Sequence, residues 1–141
     1  MKHFVLDTNV IIDFLTDRKP ISTESAKLFS LAEKGKVKLY VTAVSYNNLY
    51  YVLKKLLSHK ETVKVLRELS DLLNTIDTPK EAIASALKSD FKDFEDAIQN
   101  FSALAFSKVD GFVTRNTKDY KSSELVVMTP EQALAFMKNQ L

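Results

Sequence analysis

Side chains that carry oxygen ligands recur at a few well-separated places in this chain. Asp7, Thr8 and Asn9 follow the apolar run HFVL. Asn47 and Asn48 lie in TAVSYNNL. Asp90, Asp93, Glu95 and Asp96 crowd into DFKDFED, and Arg115, Asn116 and Asp119 follow GFVT. Carboxylates and amides are hard ligands of the kind Mg²⁺ or Mn²⁺ takes, usually one or two carboxylates per ion with water in the remaining positions. Carboxylates gathered in one place repel one another unless a cation offsets them. With no cysteine, the chain has no thiolate ligand or nucleophile, and its two glycines, Gly35 and Gly111, exclude a glycine-rich phosphate loop. His3 and His59 lie far apart and show no ligand spacing.

Each polar group other than the acids near residue 93 follows a short apolar run. His3–Leu6, Val37–Thr42, Thr75–Asp77, Gly111–Thr114 and Leu125–Met128 read as strands. Runs without polar alternation mark strands buried on both faces. Helical periods lie between them. Val10, Ile11 and Phe14 give one after Asp7. Thr23 caps a second, with Ala26, Phe29, Leu31 and Ala32 inward and Gly35 at its end. Val44, Leu49, Val52, Leu53 and Leu56 form a third stripe, and Val63, Leu66, Leu69 and Leu73 a fourth. Pro79 opens a helix at Lys80–Leu87. Phe94, Ile98, Phe101 and Ala105 stripe a long helix within 90–108. Thr129 caps the last helix, with Pro130 at its first position, running toward Met137.

Alternating strands and helices predict an α/β fold over residues 1–141 as a single domain. The expected form is a three-layer α/β/α sandwich around a central, mainly parallel sheet. Ligands of such sheets bind at the carboxyl ends of the strands. Most of the acids and amides fall there.

Composition narrows the setting. With 45% hydrophobic and 27% charged residues in 141, one ordinary core is expected. A net charge of +2 is too balanced to announce a nucleic-acid binder by bulk charge. Lys54, Lys55 and Lys60 around His59 form one basic cluster, readable as a phosphate-steering patch or as a solvated helix end. No apolar run approaches the ~18 residues that span a bilayer, and no signal-peptide pattern opens the chain. A cytoplasmic protein without a membrane partner is the expectation, and the absence of cysteine fits that reducing compartment.

Taken together, VLDTNVIIDFL, VTAVSYNNLYYVL, DFEDAIQNFSA and GFVTRNTKDY resemble the successive motifs of PIN domains, which include the toxin nucleases of bacterial toxin–antitoxin pairs. The resemblance runs through essentially the whole chain, in order. It implies Mg²⁺- or Mn²⁺-dependent hydrolysis of RNA, with an antitoxin protein and a second copy of the chain as further partners. Carried over residue by residue, it implies metal-binding and catalytic roles for Asp7, Asp96 and Asp119, with Asn116 beside Asp119. Asn9, Thr114 and Asp93 are then supporting residues that fix carboxylate rotamers. The chain departs from the pattern at S-Y-N-N-L, where Asn48 stands in place of the usual glutamate. An amide can coordinate through its carbonyl oxygen but carries no charge. The pocket is one charge poorer, and weakened metal affinity is expected.

Plainer readings stand beside these. Asp7 also reads as a helix N-cap. Asp90, Asp93 and Asp96 also read as acids that favour a helix start. Asn116 and Asp119 suit a turn. Asp13 reads as a helix-end or surface residue. Tyr46, Tyr50 and Tyr51 read as core and interface rather than as a base-stacking platform. At the level of function, the alternative to a ribonuclease is a catalytically weak PIN-fold module that binds RNA or protein. A phosphoacceptor domain lacks the acid pair and the lysine it needs.

Overall fold

Neighbouring side chains on each strand point to opposite faces, and in this chain both faces are apolar. A computed structural model describes residues 1–20 and 22–138. Among them, β1 (Lys2–Leu6), β2 (Val37–Thr42), β3 (Asn74–Ile76), β4 (Gly111–Val113) and β5 (Val127–Met128) form one sheet in the order β3-β2-β1-β4-β5. Every pairing is parallel, with Val5 flanked by Tyr40 and Phe112 in one cross-strand row.

Phe4, Leu6, Leu39, Val41 and Val113 point to one face. There they pack with Val10 and Ile11 of α1 (Thr8–Leu15), Leu28 and Phe29 of α2 (Ser22–Glu33) and Leu49 of α3 (Ala43–Leu53). Leu69 of α4 (His59–Leu72) and Ala133 and Met137 of α7 (Pro130–Lys138) complete that layer. Val5, Tyr40, Ile76 and Phe112 point the other way, against Ala103 and Phe106 of α6 (Phe94–Phe106) and against Tyr120. Ala86 and Ile83 of α5 (Lys80–Lys88) pack on Ala97 and Ile98 of α6. The expected three-layer sandwich is therefore present. Its two faces are separate apolar clusters, which is why the strands read as continuous apolar runs.

Several local expectations change. α2 begins at Ser22, so Thr23 lies inside it rather than at its cap position. Its inward face is Ser22, Ser25, Leu28 and Phe29 at helical spacing, which puts Ala26 on the exposed side. α3 stops at Leu53 and leaves Leu56 71% exposed. α6 begins at Phe94, because Asp93 caps it by accepting from Asp96 N at 3.0 Å. Its buried face carries Gln99, Asn100 and Ser102 besides apolar residues, while Phe94 and Ala105 are exposed. The apolar period misplaced this face because polar residues occupy it. The last helix matches its reading: Thr129 Oγ1 accepts from Gln132 N at 3.1 Å, and Gln132 Oε1 accepts from Thr129 N at 2.9 Å.

Topology locates the site. From central β1 the chain crosses to β2 and β3 on one side and later to β4 and β5 on the other. The carboxyl ends of β1 and β4 thus border the switch point where ligands of open α/β sheets bind. Asp7 follows β1 directly and Thr114 follows β4.

Candidate active site

Asp7 stands at the N-cap position of α1, but its side chain makes no capping bond. It turns instead into the fold and is 5% exposed. Thr114 Oγ1 donates to Oδ2 at 2.8 Å, and Gln99 Nε2 donates to Oδ1 at 3.2 Å. The backbone N of Asp7 donates to Val113 O at 2.8 Å, which extends the β1–β4 ladder by one rung and fixes where the carboxylate begins. Burial pushes this carboxyl up from its ordinary pKa, against the pull of its hydrogen bonds. Asp7 is the N-cap residue of α1 as expected, but its carboxylate is taken up by three side-chain donors in place of a capping bond.

Asp96, in the first turn of α6, reaches the same place from the other side. The Tyr120 hydroxyl lies 3.2 Å from Asp7 Oδ2 and 3.0 Å from Asp96 Oδ1. One hydroxyl has one proton and donates to one carboxylate at a time. Burial raises the Asp96 carboxyl to about 7, with further upward pushes from Asp7, Asp93 and Asp119. The other carboxylate oxygen is held beside the same hydroxyl without a proton of its own from it. Burial also pushes the Tyr120 phenol far above its ordinary value, with the two carboxylates adding to the effect, so it stays protonated as a donor.

A polar ladder supports these groups from below. Ser45 Oγ lies 2.9 Å from Thr42 Oγ1, 3.0 Å from Thr8 Oγ1 and 3.4 Å from Gln99 Oε1. Thr8 Oγ1 also lies 3.0 Å from Glu95 Oε2. Asn9 holds the far side: its Nδ2 donates to Thr114 Oγ1 at 3.4 Å and its Oδ1 accepts from Arg115 N at 3.3 Å. Ser45, Thr42, Gln99 and Thr114 are all buried, so each oxygen and amide must find its partner inside the protein.

The structure brings together Asp7, Asp96, Thr114 and Asn9. It does not bring every candidate to the same point. Asp119 is exposed. It shares with Asp96 the wall of a cleft of about 440 Å³, but it has no hydrogen bond to either acid. Asn116 is exposed and enters the network through its backbone N, which donates to Thr114 Oγ1 at 3.1 Å. Asp93 serves as the cap of α6 and lines the cleft. Asn48 is half-buried on α3, one turn beyond Ser45, with no hydrogen bond to Asp7 or Asp96. Among the described residues, no three acidic or histidine side chains form one cluster of metal-holding geometry. The donor set that does converge is two carboxylates. It fits a hard divalent cation completed by water, and the repulsion from neighbouring acids that adds to the effect of burial on Asp96 is what such an ion offsets.

Gln99, Tyr120 and Ser45 were not legible as site residues. Gln99 lies one turn beyond Asp96 on α6, and Ser45 lies one turn before Asn48 on α3, so each shares a helix face with a residue that was singled out. That spacing was the available signal. Tyr120, directly after Asp119, gave none.

Asp13 departs furthest from expectation. Its side chain is 1% exposed, against the helix-end or surface position read from sequence. Arg115 Nε lies 3.0 Å from Oδ2, and Arg18 Nη1 lies 3.8 Å from Oδ1. The carboxylate is tolerated inside because two cations face it.

A family profile described as PIN domain matches residues 3–118. The chain is similar to Ribonuclease VapC1 of Aquifex aeolicus (strain VF5), at 25% identity over 134 residues covering 90% of each chain. Among solved structures, a DNA-bound VapBC from Salmonella typhimurium superposes with a TM-score of 0.68 at 16% identity, covering 91% of this chain and 97% of that one. A toxin–antitoxin complex from Klebsiella pneumoniae gives 0.65 at 24% identity, covering 89% and 96%. At these identities the structural likeness establishes the fold.

Proposed function

This chain belongs to the PIN-domain family, and on that premise we propose that it is a ribonuclease that uses Mg²⁺ or Mn²⁺ to hydrolyse RNA phosphodiester bonds, as the toxin of a toxin–antitoxin pair. The observation that carries this reading is the convergence of Asp7 and Asp96 on one point at the switch of the sheet, each about one hydrogen bond from the same hydroxyl. RNA as substrate and an antitoxin as partner follow the names of the similar proteins, Ribonuclease VapC1 and the toxin–antitoxin complex. A toxin acting on RNA works in the cytoplasm. Among the described residues, no helix is long and apolar enough to cross a membrane. A homodimer would use Tyr51 and Leu56, exposed apolar side chains at and just past the end of α3.

In this reading Asp7 and Asp96 would hold the ion, with Asp119, on the wall of the same cleft as Asp96, as a further oxygen ligand. The bound ion would supply charge stabilisation at the phosphoryl oxygens and an acidified water. The protein supplies the rest. Gln99 and Thr114 keep the Asp7 carboxylate in one rotamer. Lys92, Lys118 and Lys121 line the cleft beside Asp96 and offset phosphate charge as the strand lies along it. A cleavage assay on RNA with Mn²⁺ compares the parent chain with Asp7→Asn and Asp96→Asn. Loss of cleavage in both variants is expected, and equal activity in all three overturns the reading.

Asn48 favours one second reading, a PIN-fold module that binds RNA or protein and cleaves weakly. With an amide at that place, and no three-acid cluster among the described residues, ion affinity would rest on two carboxylates. Binding of RNA without cleavage at saturating Mn²⁺ would select it.

A further inference from the structure

We propose that Tyr120 is a positioning residue whose phenol stands between Asp7 and Asp96, holding them together in the metal-free protein and competing with a divalent cation for their oxygens. The inference rests on the reading of this acid pair as a cation pocket. Its geometric basis is the single hydroxyl 3.2 Å from Asp7 Oδ2 and 3.0 Å from Asp96 Oδ1.

The phenol is not free to leave. Tyr120 is 2% exposed, with its ring 4.6 Å from that of Phe112 and 5.7 Å from that of Phe91, centroid to centroid. Swinging it out would open a cavity in the core beneath the sheet. It sits on the short 3₁₀ turn Thr117–Tyr120, whose entry is held by Asn116 N on Thr114 Oγ1. The hydroxyl is thus held in place by its ring, and only its hydrogen bonds can change.

Those hydrogen bonds have opposite consequences with and without an ion. Without one, a donor between two like-charged groups lowers their repulsion and keeps them in register. With an ion on Asp7 Oδ2, that oxygen, whose two lone pairs already accept from Thr114 and Tyr120, cannot keep both donors, and the longer Tyr120 bond is the one given up. Part of the ion's binding energy then replaces hydrogen bonds already present. Tyr120 sets the pocket's ion affinity without needing to touch the substrate.

Tyr120→Phe keeps the ring and removes only the oxygen. Mn²⁺ binding, read by the free-ion electron paramagnetic resonance signal, is expected to tighten about tenfold in the variant, since a hydrogen bond to a charged group is worth about that factor. Its metal-free melting temperature is expected to fall, and its rise on adding Mn²⁺ to exceed that of the parent. A purely structural tyrosine would leave affinity unchanged. Equal or weaker Mn²⁺ binding by Tyr120→Phe, with the parent still binding, overturns the proposal and leaves the metal pocket standing. Absence of Mn²⁺ binding in both proteins overturns the pocket and the proposal together, whereas binding only in the variant supports the proposal. In the parent chain, tyrosine ¹³Cζ resonances followed during Mg²⁺ titration give a second measurement that needs no variant. A shift at Tyr120 supports the exchange of its hydrogen bonds, and no shift at saturating Mg²⁺ overturns it.

Discussion

Arg115 places its Nε 3.0 Å from the Asp13 carboxylate, which is 1% exposed. The contact lacks a well-aligned N–H, so it is a charge contact more than a hydrogen bond. It ties α1 to the loop after β4, the two segments that follow Asp7 and Thr114. Asn9 Oδ1 accepting from Arg115 N makes a second tie between the same segments.

This pair is asymmetric. Arg115→Gln leaves the buried Asp13 with only Arg18, at 3.8 Å and itself 57% exposed. We expect it to cost about 3 kcal/mol, the lower end for stranding a buried charge. Asp13→Asn strands only Arg115, which is 32% exposed and can turn to water. We expect about 1 kcal/mol. Urea denaturation of both variants checks the difference, and equal costs would show that the pair does not work this way.

Asp96 predicts a pH dependence. Its folded pKa of about 7 lies above its unfolded value of 3.8. The folded state therefore holds the proton more tightly, and stability present at acid pH is lost as pH rises from about 4 through about 7. Asp7, raised in the same direction, adds to the trend. Melting temperatures measured in chelator between pH 4 and 9 should fall across that window, and Asp96→Asn should flatten the fall. Ion affinity should rise with pH across the same window, because the ligand must shed its proton.

Thr114→Val removes the shortest hydrogen bond to Asp7 while keeping the shape of the side chain. It also removes the acceptor for Asn9 Nδ2 and Asn116 N. We expect Mn²⁺ affinity to fall by roughly tenfold, the lower end for losing a group that orients a ligand. Isothermal calorimetry reads it directly.

Asn48→Glu adds the missing charge on α3. Stronger Mn²⁺ binding, with cleavage rising alongside it, is the expected outcome. An unchanged ion affinity would place residue 48 outside the pocket.

Gly111→Ala tests the strand packing. A Cβ there would lie 2.6 Å from Met128 Cε and 3.3 Å from Val126 O. The methionine end can move and the backbone oxygen cannot, so a loss of about 1–2 kcal/mol in chemical denaturation is expected.

Much of the fold was legible because burial on two faces leaves a local trace. HFVL, VKLYVT and GFVT are short, apolar on both faces and separated by helical periods, and each became a strand of the parallel sheet. Element edges were less legible. α6 starts at Phe94 behind its cap Asp93, although the stripe was read from Asp90, and α2 starts at Ser22, one residue before the expected cap Thr23, because capping competes with periodicity at helix ends.

The sequence by itself determined the strand–helix alternation and, through it, that Asp7 and Thr114 sit at carboxyl strand ends. Those depend on neighbours in the chain. Only the tertiary structure decided that Asp7 turns away from its helix toward Gln99 and Tyr120, 92 and 113 residues distant, and that Asp13 is buried against Arg115. A buried carboxylate is stable only with partners, and its partners here come from segments that the sheet's crossovers bring together. No local pattern records which distant donor a side chain will meet.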